Sequence, residues 1–315
     1  HTRIKGLGKD CITAIFPKLV FSIKKAVNFS ESDPNYDIKQ LALECSTKRM
    51  YPDILNYDKT VELLGDFKAP MGCRSFLPAW KNEAGEYENN GRCKLGVVTL
   101  NVPRIALESD GDIELFWKLF HERMNIMHDT LVYRLERIAE ATPDNAPILY
   151  KNGAFKHRLT DSDSVMDLFK GQRATLSMGY IGLYEAATVF FGPNWESKSK
   201  GKAFTLAILK AMKVYQLRWT EKYDVWFSIY STPSESLTDR FCRLDREKFG
   251  DVVDITDKGY YQNSFHYDVR KDITPFKKID FEKDYPVYAS GGYIHYCEYP
   301  KLNHNLKALE AVWDY

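Results

Sequence analysis

Apolar residues along the chain follow two rhythms, and their alternation predicts a protein of strands and helices. Strand-like runs are expected at residues 11–16 and 19–23, at 95–100, at 177–183 and at 225–230, where β-branched and aromatic residues gather. Helical spacing predicts a helix over 36–50 through Ile38, Leu41, Leu43 and Cys45. A longer one is predicted over 113–141, where Leu115, Leu119, Phe120, Met124, Met127, Leu131, Leu135 and Ile138 recur every three or four positions. Further helices are expected at 202–221, after the segment 231–237, and at the end of the chain through Leu306, Leu309 and Trp313. Residues 286–290 and 293–297 read as strands on either side of Gly291 and Gly292. No repeat, low-complexity tract or linker interrupts the pattern, so residues 1–315 are expected to form one continuous α/β unit.

Charge narrows the function classes. With 44 basic against 43 acidic side chains the net charge is +1, which argues against a polymeric nucleic acid as partner. A mononucleotide remains compatible. The most apolar early stretch, residues 14–27, is broken by Pro17, Lys18, Lys24 and Lys25, so neither a signal segment nor a membrane span is expected. The six cysteines have no Cys-x-x-Cys pair and no zinc-site spacing, which suggests reduced thiols in a cytoplasm and no metal site. With His1 first and Tyr315 closing an apolar helix, the sequence reads as a fragment.

Candidate chemistry concentrates in a few places. Cys73 stands in the run Pro70, Met71, Gly72, Cys73, Arg74, Ser75, Phe76, where Pro and Gly force a turn able to present a sulfur to a ligand. A lone cysteine is otherwise most often a small buried hydrophobe. The segment Ser231, Thr232, Pro233, Ser234 joins a strand to a helix, offering free N–H groups and hydroxyls to an anion, or simply an N-cap. Gly179 with Tyr180, the segment 263–266, and Gly291 and Gly292 with His295 combine glycine with aromatic or histidine residues, which fits either turn chemistry or a close backbone approach to a ligand. His266 and His295 are expected to be hydrogen-bonding residues without a general-base role.

The Met-Gly-Cys-Arg-Ser-Phe spelling at 71–76 and the run from Leu95 to Leu107 resemble the finger loop and following strand of the anaerobic, class III ribonucleoside-triphosphate reductases, which are glycyl-radical enzymes. Residues 3–8, 36–44, 51–54 and 308–315 extend the likeness over nearly the whole chain, nearest to a phage-type branch. The resemblance implies part of a ten-stranded α/β barrel: a lead-in at 1–65, the finger loop and its strand at 66–110, and the second half-barrel at 111–315. It implies that Cys73 carries a thiyl radical that removes the ribose 3′ hydrogen, with Met71 as its sulfur neighbour. Ser75, Asn101 and Lys94 would form its surroundings. Ser231, Thr232 and Ser234 would contact the substrate phosphates, and Gly179, Tyr180, Gly291, Gly292 and His295 would line the substrate pocket. Formate would be the reductant, and the full-length chain a homodimer. A radical-SAM partner with a 4Fe-4S cluster would use S-adenosylmethionine to place the radical on a glycine outside these residues. A structural zinc is expected only in a C-terminal part outside them as well.

Departures from the family pattern accompany these expectations. Lys94 stands where the family has an asparagine, and the first half-barrel and the radical-storing loop are not among these residues. The segment is therefore expected to be inactive alone. A non-catalytic or split-gene fragment that acts only on assembly is one alternative, and a glycyl-radical enzyme of formate-lyase or dehydratase type is another. The phosphate-type loop speaks against the latter, because small acids and diols need no triphosphate cradle.

Overall fold

The structure, a computed structural model, describes every residue except Ile15, Met50, Lys68, Cys73, Asn303 and His304, and the side chains of Leu63, Leu64 and Glu235. Where the sequence shows no linker, tertiary contacts group the chain into two compact units. One comprises residues 1–69, 274–278 and 296–315, the other residues 70–273 and 279–295.

In the first unit, β1 (Val20–Ile23) pairs in parallel with β2 (Asp53–Asn56), with α1 (Tyr36–Lys48) between them in sequence. Helix α2 (Tyr57–Leu64) starts at Asn56, whose side chain accepts the Lys59 N–H, and stops at Gly65 in the left-handed region that favours glycine. The buried side of α1 is formed by Lys39, Ala42, Leu43 and Cys45, while Ile38 is exposed. A lysine can face inward there because its Nζ bonds the Phe29 carbonyl and pairs with Glu310 and Asp314 of helix Leu306–Trp313. Among the described residues of 11–16, the expected strand does not form. Leu7 and Ile12 make an isolated antiparallel bridge instead, and Ile12 and Phe16 are exposed. Pro17, which has no N–H to give a ladder, follows at once.

The second unit is built on β3 (Cys93–Asn101), β4 (Ala174–Ile181) and β5 (Trp226–Ser231), parallel neighbours in that order. Between β3 and β4 run α3 (Val102–Glu108) and α4 (Ile113–Ala139), and between β4 and β5 run α5 (Leu183–Phe191) and α6 (Ser199–Tyr223). Helix α7 (Glu235–Phe249) follows β5. Helical connections are what parallel strands require. Helix α4 begins at Asp112, which accepts the Glu114 and Leu115 N–H groups. It buries Phe116, Phe120, Met124, Met127 and Leu131, so the stripe runs through Phe116 and leaves the expected Leu115 exposed.

Register assigns each strand residue to a face. Val98, Met178 and Leu100, Tyr180 are cross-strand partners, and with Leu176, Phe227 and Ile229 they belong to the apolar core shared with α4, α5 and α6. One residue along, Thr99, Gly179 and Tyr230 are partners, as are Ser177 and Ser228, and Lys94 and Thr175. These form the opposite face. The strands expected at 286–290 and 293–297 are absent. Pro286 opens a short 3-10 turn through Tyr288, and residues 293–300 have no regular structure.

Candidate functional site

Small residues on the second face of the sheet let other parts of the chain come close. Residues 290–292 lie against β5: the Gly291 N–H bonds the Ile229 carbonyl at 2.7 Å, the Ser231 N–H bonds the Gly292 carbonyl at 3.0 Å, and the Ile229 N–H bonds Ser290 Oγ at 3.2 Å. The loop at 71–76 joins them through the Phe76 N–H, 3.1 Å from the Gly291 carbonyl. A Cβ at Gly292 would stand 2.0 Å from the Arg74 carbonyl oxygen, and its φ of +113° is open to glycine alone in practice. Gly291 is equally pressed, with Ser228 Oγ 2.6 Å from where a Cβ would be.

The loop closes on itself. Met71 and Ser75 exchange both backbone hydrogen bonds, at 2.7 and 3.2 Å, across a turn that includes Gly72 at φ +57°. Cys73 sits between them in sequence and lies outside the described residues. Met71 is 42% exposed, whereas Ser75, Phe76 and Leu77 are buried, so the loop is anchored on its outgoing limb.

Lys94 reaches this anchor from β3. Its Nζ donates to Ser75 Oγ at 2.8 Å and stands 3.7 Å from the centre of the Tyr230 ring. Burial lowers its pKa from the usual 10.5 to about 8. Among the described residues no carboxylate lies within ion-pair distance of it.

The hydroxyls after β5 divide their tasks. Ser231 Oγ is 2.6 Å from the Tyr180 hydroxyl, a buried pair on the helix side, and burial raises the Tyr180 pKa. Thr232 Oγ1 donates to the Tyr230 carbonyl at 3.2 Å and lies 3.5 Å from Thr99 Oγ1, directly over Gly179, where a Cβ would be 2.3 Å from it. Ser234 caps α7 by accepting the Leu237 N–H, while its own N–H bonds Asn263 Oδ1.

Asn101 and His295 are drawn into supporting networks. Asn101 caps α3 through the Arg104 N–H and donates to Asp245 Oδ2 at 3.0 Å. Asp245 is fully buried and also takes a hydrogen bond from Tyr261 at 2.7 Å and an ion pair from Arg104. His295 Nδ1 is 2.7 Å from Glu282 Oε2, and His266 Nδ1 lies 3.3 Å from the other oxygen of this buried carboxylate. Glu282 thereby ties the segment after Gly292 to the turn at 263–266, which meets the end of β4 through an Ile181–Asn263 bridge.

Of the described thiols, Cys11 is exposed and Cys297 half-buried, and the other three differ from what an exposed loop sulfur needs. Cys45, Cys93 and Cys242 are buried, and burial raises the pKa of each, to about 12 for Cys93 and about 11 for Cys242. Among the described residues no group of three or more His, Cys, Asp or Glu side chains could hold a metal ion, and no helix is long and apolar enough to cross a membrane.

Known proteins match the chain along its whole length. The family model for anaerobic ribonucleoside-triphosphate reductase matches residues 1–315. The chain belongs to that family. The anaerobic ribonucleoside-triphosphate reductase of Escherichia coli K12 is 54% identical across 100% of this chain and 44% of its own length. That of Enterobacteria phage T4 is 48% identical across 99% of this chain and 51% of its own. This member of the reductase family therefore spans about half the length of the curated relatives it matches. Solved anaerobic ribonucleotide reductases of Thermotoga maritima share its α/β fold. One with glycerol in the active site aligns at TM-score 0.66 with 20% identity, over 95% of this chain and 45% of that one. One in complex with dATP and CTP aligns at 0.67 and 20%, over 99% and 48%. Parallel strands with helical connections agree with part of a barrel, as the reductase resemblance implies.

Sequence reasoning marked Lys94, Ser75 and the glycines, and the structure brings them together with 290–292. It missed Tyr230 and Thr99 as neighbours of this group. Their signal was alternation: Tyr230 is out of phase with the buried Phe227 and Ile229, and Thr99 with Leu100.

Proposed function

We propose that the chain is the finger-loop and second half-barrel part of an anaerobic reductase that converts ribonucleoside triphosphates to deoxyribonucleoside triphosphates. The docking of residues 71–76 onto the polar face of β3, β4 and β5 carries this proposal, because the residues flanking Cys73 in sequence pair with each other and with the 290–292 segment that lies along β5. Ligands of parallel α/β sheets bind at the carboxyl ends of the strands, and Thr232 and Ser234 stand at that end of β5.

In this mechanism the Cys73 sulfur, as a thiyl radical, takes the 3′ hydrogen atom of the ribose and becomes a thiol. The 2′ hydroxyl takes up a proton and leaves as water, formate supplies two electrons and a proton and is released as carbon dioxide, and the Cys73 thiol returns its hydrogen atom to C3′, which restores the thiyl radical. Radical initiation is the chemistry of a glycyl radical and of an S-adenosylmethionine-using iron–sulfur partner. Its own residues hold and orient. Thr232 and the N-terminus of α7 receive phosphate oxygens, Gly179 permits close approach to the sheet, and Gly291 and Gly292 seat the loop. Met71 flanks the reacting sulfur, and His295 holds the segment after Gly292 through Glu282.

The test is Cys73→Ser in a complete reductase chain carrying this segment. An O–H bond holds its hydrogen more tightly than an S–H bond, so deoxynucleotide formation is expected to vanish with folding intact. Turnover by the variant would remove Cys73 from the chemistry. Labelled formate should yield one labelled carbon dioxide per deoxynucleotide, and a ratio near zero would assign the reduction to another donor.

A further inference from the structure

Lys94 combines features that its neighbours on the sheet lack. It starts on β3, yet its amine ends over a ring of β5, two strands away, and on a hydroxyl of the 71–76 loop. The path crosses β4, whose residues on that face are Thr175, Ser177 and Gly179. None is large enough to block a lysine stem, and a bulge in β3 between Lys94 and Gly96 sets the residue apart from the regular register. The ammonium faces a π-surface on one side and a hydroxyl acceptor on the other, the two neutral partners that hold a cation away from water without a carboxylate.

Ser75 is the natural point of attachment for the loop. It is buried, its backbone closes the bridge to Met71, and the next residue, Phe76, donates to Gly291. Fixing Ser75 therefore fixes the outgoing limb of the loop and its seating on residues 291–292. We propose that Lys94 is a positioning residue, an internal tether that clamps the 71–76 loop to the sheet by joining Ser75 Oγ to the Tyr230 ring.

As a statement about catalysis this rests on the function proposed above; as a statement about the loop it does not. The experiment accordingly reads both in a complete reductase chain carrying the segment. Lys94→Met keeps the stem and removes the charge and the donor. Amide exchange at Ser75 and Phe76 should become about tenfold faster, the scale of one desolvated cation–ring contact. The kcat should fall by about as much with KM unchanged, while Lys94→Arg should restore most of both. Tyr230→Phe, which keeps the ring, should leave exchange unaltered. Ser75→Ala should quicken exchange by itself and add little to Lys94→Met. Unchanged exchange in Lys94→Met, or full additivity with Ser75→Ala, would overturn the tether. So would unchanged exchange with a raised requirement for formate, which would make Lys94 an anion ligand. If Lys94→Met fails to fold, Ser75→Ala alone decides, because it removes the same contact from the other side. Altered exchange in a chain that makes no deoxynucleotide would sustain the tether and count against the proposed function.

Discussion

The two faces of the sheet formed by β3, β4 and β5 differ by one residue along each strand, yet they are different materials. Toward α4, α5 and α6 lie Leu176, Met178, Tyr180, Phe227 and Ile229, buried among stacked and edge-on aromatic rings. Toward the loop lie Thr99, Thr175, Ser177, Gly179 and Ser228, which are small, together with Tyr230 and Lys94. The first face supplies rigidity by excluding water. The second gives up apolar burial so that backbone at 290–292, the tip of Lys94 and the 71–76 loop can approach. Under the proposed function, chemistry belongs on the face built of small side chains, and stability on the other.

Breaking the helix-facing side should cost most. Phe227 is fully buried and meets Trp219 edge-on at 5.5 Å, so Phe227→Ala should lower unfolding free energy by about 3–5 kcal/mol in denaturant titration. In a complete reductase chain carrying this segment KM should hardly move, because the side chain lies on the face opposite the loop. A large KM change with little loss of stability would mean that the faces are coupled and the division of labour is wrong.

How far this contrast could be read in advance follows from the range of the interactions involved. Strands 177–183 and 225–230 were legible because alternation is local, and both formed, as Ala174–Ile181 and Trp226–Ser231. Helices 113–141 and 202–221 were legible for the same reason, though the buried stripe of α4 passed to Phe116, since which side faces the core is decided by packing. The apolar residues at 286–297 imitated a strand. They are spent instead on rings, with Phe265 stacked on Tyr285 and in contact with Tyr293 and His295. Asn101 was singled out for the site but serves Asp245, 144 positions away in the chain, and no local pattern announces such a partner. Lys94 was conspicuous as a residue type, whereas its contact with Tyr230 depends on strand order.

On the polar face, a pair of substitutions at one junction separates binding from capping. Thr232 has its hydroxyl between Thr99 and the Tyr230 carbonyl, at the carboxyl end of β5. If it also serves a substrate phosphate, Thr232→Ala should raise KM for the triphosphate by about ten- to a hundredfold, a charged hydrogen bond being worth roughly 1.5–3 kcal/mol. Ser234, engaged by the Leu237 N–H, should behave as a cap. Ser234→Ala should cost about 1 kcal/mol of stability with a small change in KM. The reverse outcome would give the phosphate contact to the Ser234 hydroxyl in place of that of Thr232.

The subtlest difference between the faces is that only the polar one has a charge to titrate. Lys94 has a pKa of about 8 where it sits, below the usual 10.5, because burial disfavours the ammonium. Between those values the unfolded chain holds the proton that the folded chain has released. The slope of stability with pH is therefore positive for this group, and its contribution rises from pH 8 to about 10.5. The loop should respond in the opposite sense. As the ammonium is lost above pH 8, the Tyr230 ring no longer faces a cation and the contact with Ser75 weakens, so amide exchange at Ser75, corrected for its intrinsic pH dependence, should accelerate. Nitrogen NMR of Lys94 locates the midpoint directly, and Lys94→Met should abolish both trends. A midpoint above 10 would put the amine in water and away from Tyr230, and would erase the difference between a lysine held on the polar face and one exposed at its edge.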